Sequence, residues 1–67
     1  MMQIQLNGVP HELARPISIA ALLNASGYTG HAIAVEINHE IVPKSMHGQH
    51  LVQDGDHIEV VHAIGGG

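Results

Sequence analysis

The sequence predicts a small α+β domain in which a mixed sheet of four to five strands packs on one main helix. Apolar and polar residues alternate in three segments, and one segment has apolar residues at helical spacing. No linker or repeat interrupts the 67 residues, so we expect a single domain over 1–67. Its core must be aliphatic, because Tyr28 is the only aromatic residue.

The first two strands are predicted to form a hairpin. Residues 2–6 alternate as in a half-buried strand, and Asn7 with Gly8 is a strong signal for a two-residue turn. The second strand is expected over about 9–14. Pro10 lies within it and lacks an N–H donor, which indicates an edge strand or a bulge.

The helix follows directly. Ser18 is a good N-cap, and Ile19, Leu22 and Leu23 form one apolar stripe. Gly27 is expected to end the helix after about two turns.

The second half begins with a strand predicted at 31–37, where every second residue is Ile or Val. Asn38 and His39 can turn the chain into a short extended piece at 41–42. Pro43 then opens a polar stretch that is predicted to be a turn or a short 3₁₀ helix.

The last strand alternates over 58–64 and runs into the terminal glycines, after an Asp-Gly-Asp turn at 54–56. This element order allows the last strand to pair beside the first, which is the β-grasp (ubiquitin-like) roll. The predicted core residues are Ile4, Leu6, Ile19, Leu22, Leu23, Ile33, Val35, Ile58 and Val60.

The sequence ends in three glycines and a carboxylate. Residues without a Cβ atom can thread a channel too narrow for side chains. We therefore expect Gly65 and Gly66 to form a flexible tail that enters a partner's active site and presents the Gly67 carboxylate there. The alternative is an inert, frayed tail.

Charge favours a protein partner. Two basic residues against six acidic ones give a net charge of −4, which repels nucleic acid and anionic lipid. No apolar stretch approaches the ~20 residues that cross a bilayer, and the N-terminus lacks a charged signal-peptide start. We expect a cytoplasmic protein that binds neither nucleic acid nor membrane.

Seven histidines raise the question of a metal site. His47 and His50 are spaced to share a helical face, with His57 or His62 as further ligands. However, no Cys or carboxylate falls at matching spacing, and 54–56 lacks the twelve-position calcium pattern. We expect structural or solvated histidines, a tight turn, and no metal.

The exposed sheet face is the predicted docking surface for a partner, because its side chains are small and allow close approach. An ordinary solvated face is the alternative. By alternation, this face presents Gln3, Gln5, Ala32, Ala34, Glu36, Glu59 and Val61. The residues expected to contact a partner are Ala32, Ala34, Glu59, Val61 and Ile64.

Three segments together resemble the ThiS family of thiazole-synthesis sulfur carriers. They are Ile-Asn-His-Glu-Ile-Val-Pro-Lys at 37–44, Leu-Val-Gln-Asp-Gly-Asp-His-Ile at 51–58, and the terminal Ile-Gly-Gly-Gly. The likeness covers the whole chain. Lys44 stands where the family commonly has Arg, His47 where it often has Trp, and Gly65 extends the usual glycine pair.

The resemblance implies a carrier and not an enzyme. A ThiF-like partner would use ATP to adenylate Gly67, and sulfur from cysteine, supplied for example by a cysteine desulfurase, would replace AMP. A ThiG-like synthase would then take sulfur from the thiocarboxylate into the thiazole ring of thiamin. The chain lacks a phosphate-binding loop, so we expect ATP to bind the partner and no cofactor to bind the chain. The alternatives are a carrier like the small subunit of molybdopterin synthase, a non-carrier interaction domain, and a histidine-rich metal buffer.

Overall fold

The computed structural model describes residues 1–28 and 33–62, and of these His62 is described by its backbone alone. Residues 29–32 and 63–67 lie outside the described part, and they include the start of the third predicted strand and the end of the last predicted strand. The elements, in chain order, are β1 (Met2–Leu6), β2 (Val9–Leu13), α1 (Ile19–Ala25), β3 (Ile33–Ile37), β4 (Glu40–Val42), a turn of 3₁₀ helix (Lys44–Met46) and β5 (His57–His62).

The five strands form one mixed sheet in the order β2-β1-β5-β3-β4. β5 runs parallel to β1, while the β1–β2, β3–β4 and β3–β5 pairs are antiparallel. The predicted β-grasp roll is confirmed, with β5 in the centre beside β1. Pro10 lies on β2, which is an edge strand, so its missing N–H removes no hydrogen bond from the interior of the sheet.

The core lies between one face of the sheet and α1. The buried apolar residues are Ile4, Leu6, Ile19, Leu22, Leu23, Val35, Ile37, Val42, Val52, Ile58 and Val60. Ile33, which the alternation predicted to be a core residue, packs against the core but is only partly buried. The core also gains Val42 and Val52, which no alternating pattern had indicated.

The first turn of α1 is tied to the segment that follows the 3₁₀ turn. The Ile19 N–H donates to the His50 carbonyl at 3.0 Å, and the Ala20 N–H donates to the His47 carbonyl at 2.8 Å. The Ser18 Oγ accepts from the Ala21 N–H at 3.1 Å, which confirms the predicted N-cap. The first two N–H groups of the helix, which have no partners within it, are thus satisfied by tertiary contacts, and the third is satisfied by the local cap.

The remaining boundaries follow local chemistry. β2 ends at Leu13, one residue before the predicted limit. Gly27, with φ of +84°, terminates the helix because this left-handed conformation costs glycine no strain. Among the described residues, no helix has both the length and the apolar character needed to span a membrane.

Candidate partner-docking face

The sheet surface that points away from α1 is hereafter the outer face. In the β3–β5 ladder Ala34 lies directly opposite Val61, and Glu36 lies directly opposite Glu59. Directly opposed residues project to the same side of a sheet, with Cβ atoms about 5 Å apart. Three of the predicted contact residues, Ala34, Glu59 and Val61, therefore lie together on the outer face.

The two valines near the end of β5 show how sharply the sheet divides its two faces. Val60 is 8% exposed and belongs to the core, whereas Val61 is 51% exposed. Successive residues of a strand point to opposite faces, so the alternation predicted from the sequence holds here. Val61 is one of the large apolar side chains that the described part of the fold leaves in solvent.

The sequence prediction missed Ile41 on the same face. Ile41 lies opposite Glu36 in the β3–β4 ladder, so it extends the row Ile41–Glu36–Glu59 across three strands. Its side chain is 72% exposed, although an isoleucine in a short strand would ordinarily be assigned to the core. The two-residue turn at Asn38 and His39 could have revealed this, since it fixes the register of the hairpin.

The outer face is acidic. Glu36 and Glu59 face each other directly, and Glu12 lies on the same face of β2, opposite Gln3. The only two basic residues of the chain, Arg15 and Lys44, lie outside all five strands. Like charges placed opposite each other destabilise a sheet, and a partner with basic side chains would relieve that repulsion.

Five of the predicted site residues lie outside the described part of the chain: Ala32, Ile64, Gly65, Gly66 and Gly67. Their roles in docking and in the tail stay predictions. β5 is described as far as His62, so the central strand of the outer face is also the strand that precedes the glycines in sequence.

The Asp-Gly-Asp segment is a tight turn, as predicted. Asp54 Oδ1 accepts from the Gln3 N–H at 2.7 Å, and the Gly55 N–H donates to the Gln3 carbonyl at 2.8 Å. Asp56 Oδ2 accepts from the Gln53 N–H at 2.8 Å. These bonds fasten the start of β5 to β1, so both carboxylates have a structural role.

His47 is also structural. Its side chain is buried, and Nε2 donates to the Val42 carbonyl at 3.0 Å. His50 is half-buried and lines a different groove, so the two rings do not share a face. Among the side chains of residues 1–28 and 33–61, no three His, Asp or Glu come close enough together to hold a metal ion.

The fold and the outer face define a β-grasp protein with an acidic sheet surface that also carries small and apolar side chains. The model of the ThiS family matches residues 4–67, which is nearly the whole chain. The chain therefore belongs to the ThiS family.

Known proteins agree with this assignment. The chain is 42% identical over 66 residues to a thiazole synthase of Paramagnetospirillum magneticum, a match that covers 98% of this chain and 20% of that protein. It thus spans only about a fifth of the length of the thiazole synthases that it matches. It is 36% identical to the sulfur carrier protein ThiS of Escherichia coli, over 98% of this chain and 100% of that one. The crystal structure of the thiamine biosynthesis protein ThiS from Geobacter metallireducens superposes with a TM-score of 0.86 at 29% identity, covering 98% of this chain and 100% of that one.

Proposed function

We propose that this protein is a sulfur carrier of thiamin biosynthesis and that the carboxylate of Gly67 carries the sulfur. The observation that supports this most strongly is the extent of the family match, which runs to residue 67 and so includes all three glycines. The match to the sulfur carrier of Escherichia coli likewise covers that whole protein. The chain acts in this proposal as a cosubstrate of its partner enzymes.

The proposed chemistry begins with activation of the carboxylate. A carboxylate is a poor electrophile because its charge is delocalised and its oxygen is a poor leaving group. Attack of a Gly67 carboxylate oxygen on the α-phosphorus of ATP, in a ThiF-like enzyme, releases pyrophosphate and leaves AMP bound through a mixed anhydride. A persulfide sulfur that originates from cysteine, delivered by an enzyme such as a cysteine desulfurase, then attacks the carbonyl carbon and expels AMP. A second thiol cleaves the resulting acyl disulfide and is oxidised to a disulfide with the donor's cysteine, which supplies the two electrons. The product is a terminal thiocarboxylate, a soft nucleophile suited to sulfur transfer.

The recipient of the sulfur is proposed to be a ThiG-like thiazole synthase. The similarity to proteins named thiazole synthase supports this choice, since a segment like this chain makes up about a fifth of their length. Val61, Ala34 and Ile41 offer apolar contacts on the outer face, and Glu36 and Glu59 offer charges for a basic partner. In this proposal the ThiF-like enzyme and the synthase dock on the same face in turn.

The test is the release of pyrophosphate by a ThiF-like adenylyltransferase with ATP and this protein as acceptor. The parent chain should support release, and the variant that lacks Gly67 should not, because its last carboxylate is one residue short. Circular dichroism should show the same melting transition for both chains. Equal release with parent and deletion variant would refute the role of Gly67, and no release with the parent would refute the carrier function.

A further inference from the structure

Two asparagines hold β5 near its two ends. Asn7 and Asn38 each occupy the first position of a two-residue hairpin turn, and each has φ of +52°. Asparagine tolerates this left-handed conformation better than most residues do. Both side chains then reach across to the backbone of the same strand.

Asn7 binds β5 at Ile58 and at Val60. Its N–H donates to the Ile58 carbonyl at 2.8 Å, and its Oδ1 accepts from the Val60 N–H at 2.8 Å. Its Nδ2 donates to the Tyr28 hydroxyl at 2.9 Å, which links the turn to the segment after α1. One side chain therefore joins the first hairpin, the end of the helix region and the central strand.

Asn38 makes the matching contacts at the start of β5. Its N–H donates to the His57 carbonyl at 2.8 Å, and its Oδ1 accepts from the His57 N–H at 3.0 Å. Its Nδ2 donates to Asp56 Oδ1 at 3.1 Å. Each asparagine thus binds the backbone of β5 through its own N–H and its side-chain oxygen, but Asn38 does so at the start of the strand, farther from Gly67 in sequence.

The bond from Asn7 extends a short ladder. β1 pairs with β5 only through Gln5–His57 and Leu6–Ile58, because the chain turns away into β2 after Leu6. The Asn7 side chain supplies the next rung, at Val60, in place of a further strand residue. It is the last bond that β5 receives from the β1 side among the described residues, and Val60 is also the last core residue described before the glycines.

We propose that Asn7 is a positioning residue: its bond to Val60 holds β5 from the β1 side, while β3 holds the same strand from the other side as far as His62, and the two together set the point from which the Gly67 carboxylate is presented. The inference rests on the proposed carrier function. Gly67 lies five residues after His62, a reach of about 17 Å when extended. When the body docks through the outer face, a fixed starting point confines the carboxylate to a small volume and raises its effective concentration at the reacting phosphorus. A loosened strand end spreads it over a larger volume.

The test compares Asn7→Gly with Asn38→Gly. Glycine adopts φ of +52° without strain and keeps the backbone N–H, so each substitution removes the side-chain bonds and adds the same backbone freedom to the unfolded chain. Both variants should lower the midpoint of thermal unfolding by similar amounts. Asn7→Gly should also lower kcat/KM for carrier-dependent pyrophosphate release by roughly tenfold or more. Asn38→Gly should keep the parental value.

Hydrogen exchange and a conservative variant separate positioning from stability. Asn7→Gly should speed exchange of the Val60 amide, and Asn7→Asp, which retains the acceptor for that amide, should restore both slow exchange and kcat/KM. Equal kcat/KM for the two glycine variants, whether lowered or parental, would overturn the inference while leaving the carrier function in place. A parent chain that supports no pyrophosphate release would refute the carrier function and the positioning role together.

Discussion

An aspartate at residue 60 should unfold the protein, whereas an aspartate at residue 61 should leave it folded and weaken partner binding. Val60 is 8% exposed, so Val60→Asp forfeits about 1.5–3 kcal/mol of apolar burial. It also puts a carboxylate into the core, which adds at least about 2 kcal/mol. The sum equals or exceeds the total of about 3–5 kcal/mol that a core of this size supplies. We expect Val60→Asp to be unfolded at room temperature.

Val61 is already 51% exposed, so Val61→Asp should change the free energy of unfolding by about 1 kcal/mol or less. Its effect should appear in binding, because docking would bury a carboxylate where Val61 offers an apolar contact. We expect the dissociation constant for a ThiF-like enzyme to rise about tenfold or more, which corresponds to about 1.4 kcal/mol.

Far-UV circular dichroism melts and titration calorimetry measure the two effects separately. Val61→Asp should melt nearly as the parent does, whereas Val60→Asp should show no melting transition. If the two variants melt alike, the assignment of residues to the two sheet faces is wrong. If Val61→Asp folds and binds the enzyme as tightly as the parent, the outer face is not the docking surface.

Three further outcomes are expected. Gly66→Ala should slow pyrophosphate release sharply, because a channel that closes around the backbone excludes a Cβ next to the reacting residue, while Gly65→Ala should be tolerated. Equal rates of release for Gly66→Ala and the parent would mean that flexibility alone explains the glycines. Deleting Gly67 should leave the urea midpoint unchanged, and a large fall would mean that the tail stabilises the fold. His47→Ala should lower the free energy of unfolding by about 1–3 kcal/mol, since the Val42 carbonyl loses a buried donor, and an unchanged midpoint would contradict the structural role of His47.

The parts of the fold that were predictable from the sequence are those specified by neighbouring residues. The Asn7–Gly8 turn, the Ser18 cap and the stripe through Leu22 and Leu23 each depend on contacts within a few positions, and each is present. The alternation in β5 likewise identifies which face Val61 occupies.

The parts that were not predictable depend on long-range contacts. Val52 lies in a segment without periodicity and is buried because its N–H donates to the Ile17 carbonyl at 2.8 Å, which holds it against the start of α1. His47 is buried for a similar reason, because its backbone carbonyl accepts from the Ala20 N–H at 2.8 Å, which holds it against the first turn of α1. Ile41 shows the converse, because composition favours burial while the register with β3 directs its side chain outward.

The most direct test of the central claim is the intact mass of the chain after incubation with a ThiF-like adenylyltransferase, ATP and a sulfur donor. We expect a mass gain equal to the difference between one sulfur and one oxygen atom, dependent on ATP, with fragmentation placing the change on Gly67. An unchanged mass, or a sulfur found on any other residue, would contradict it.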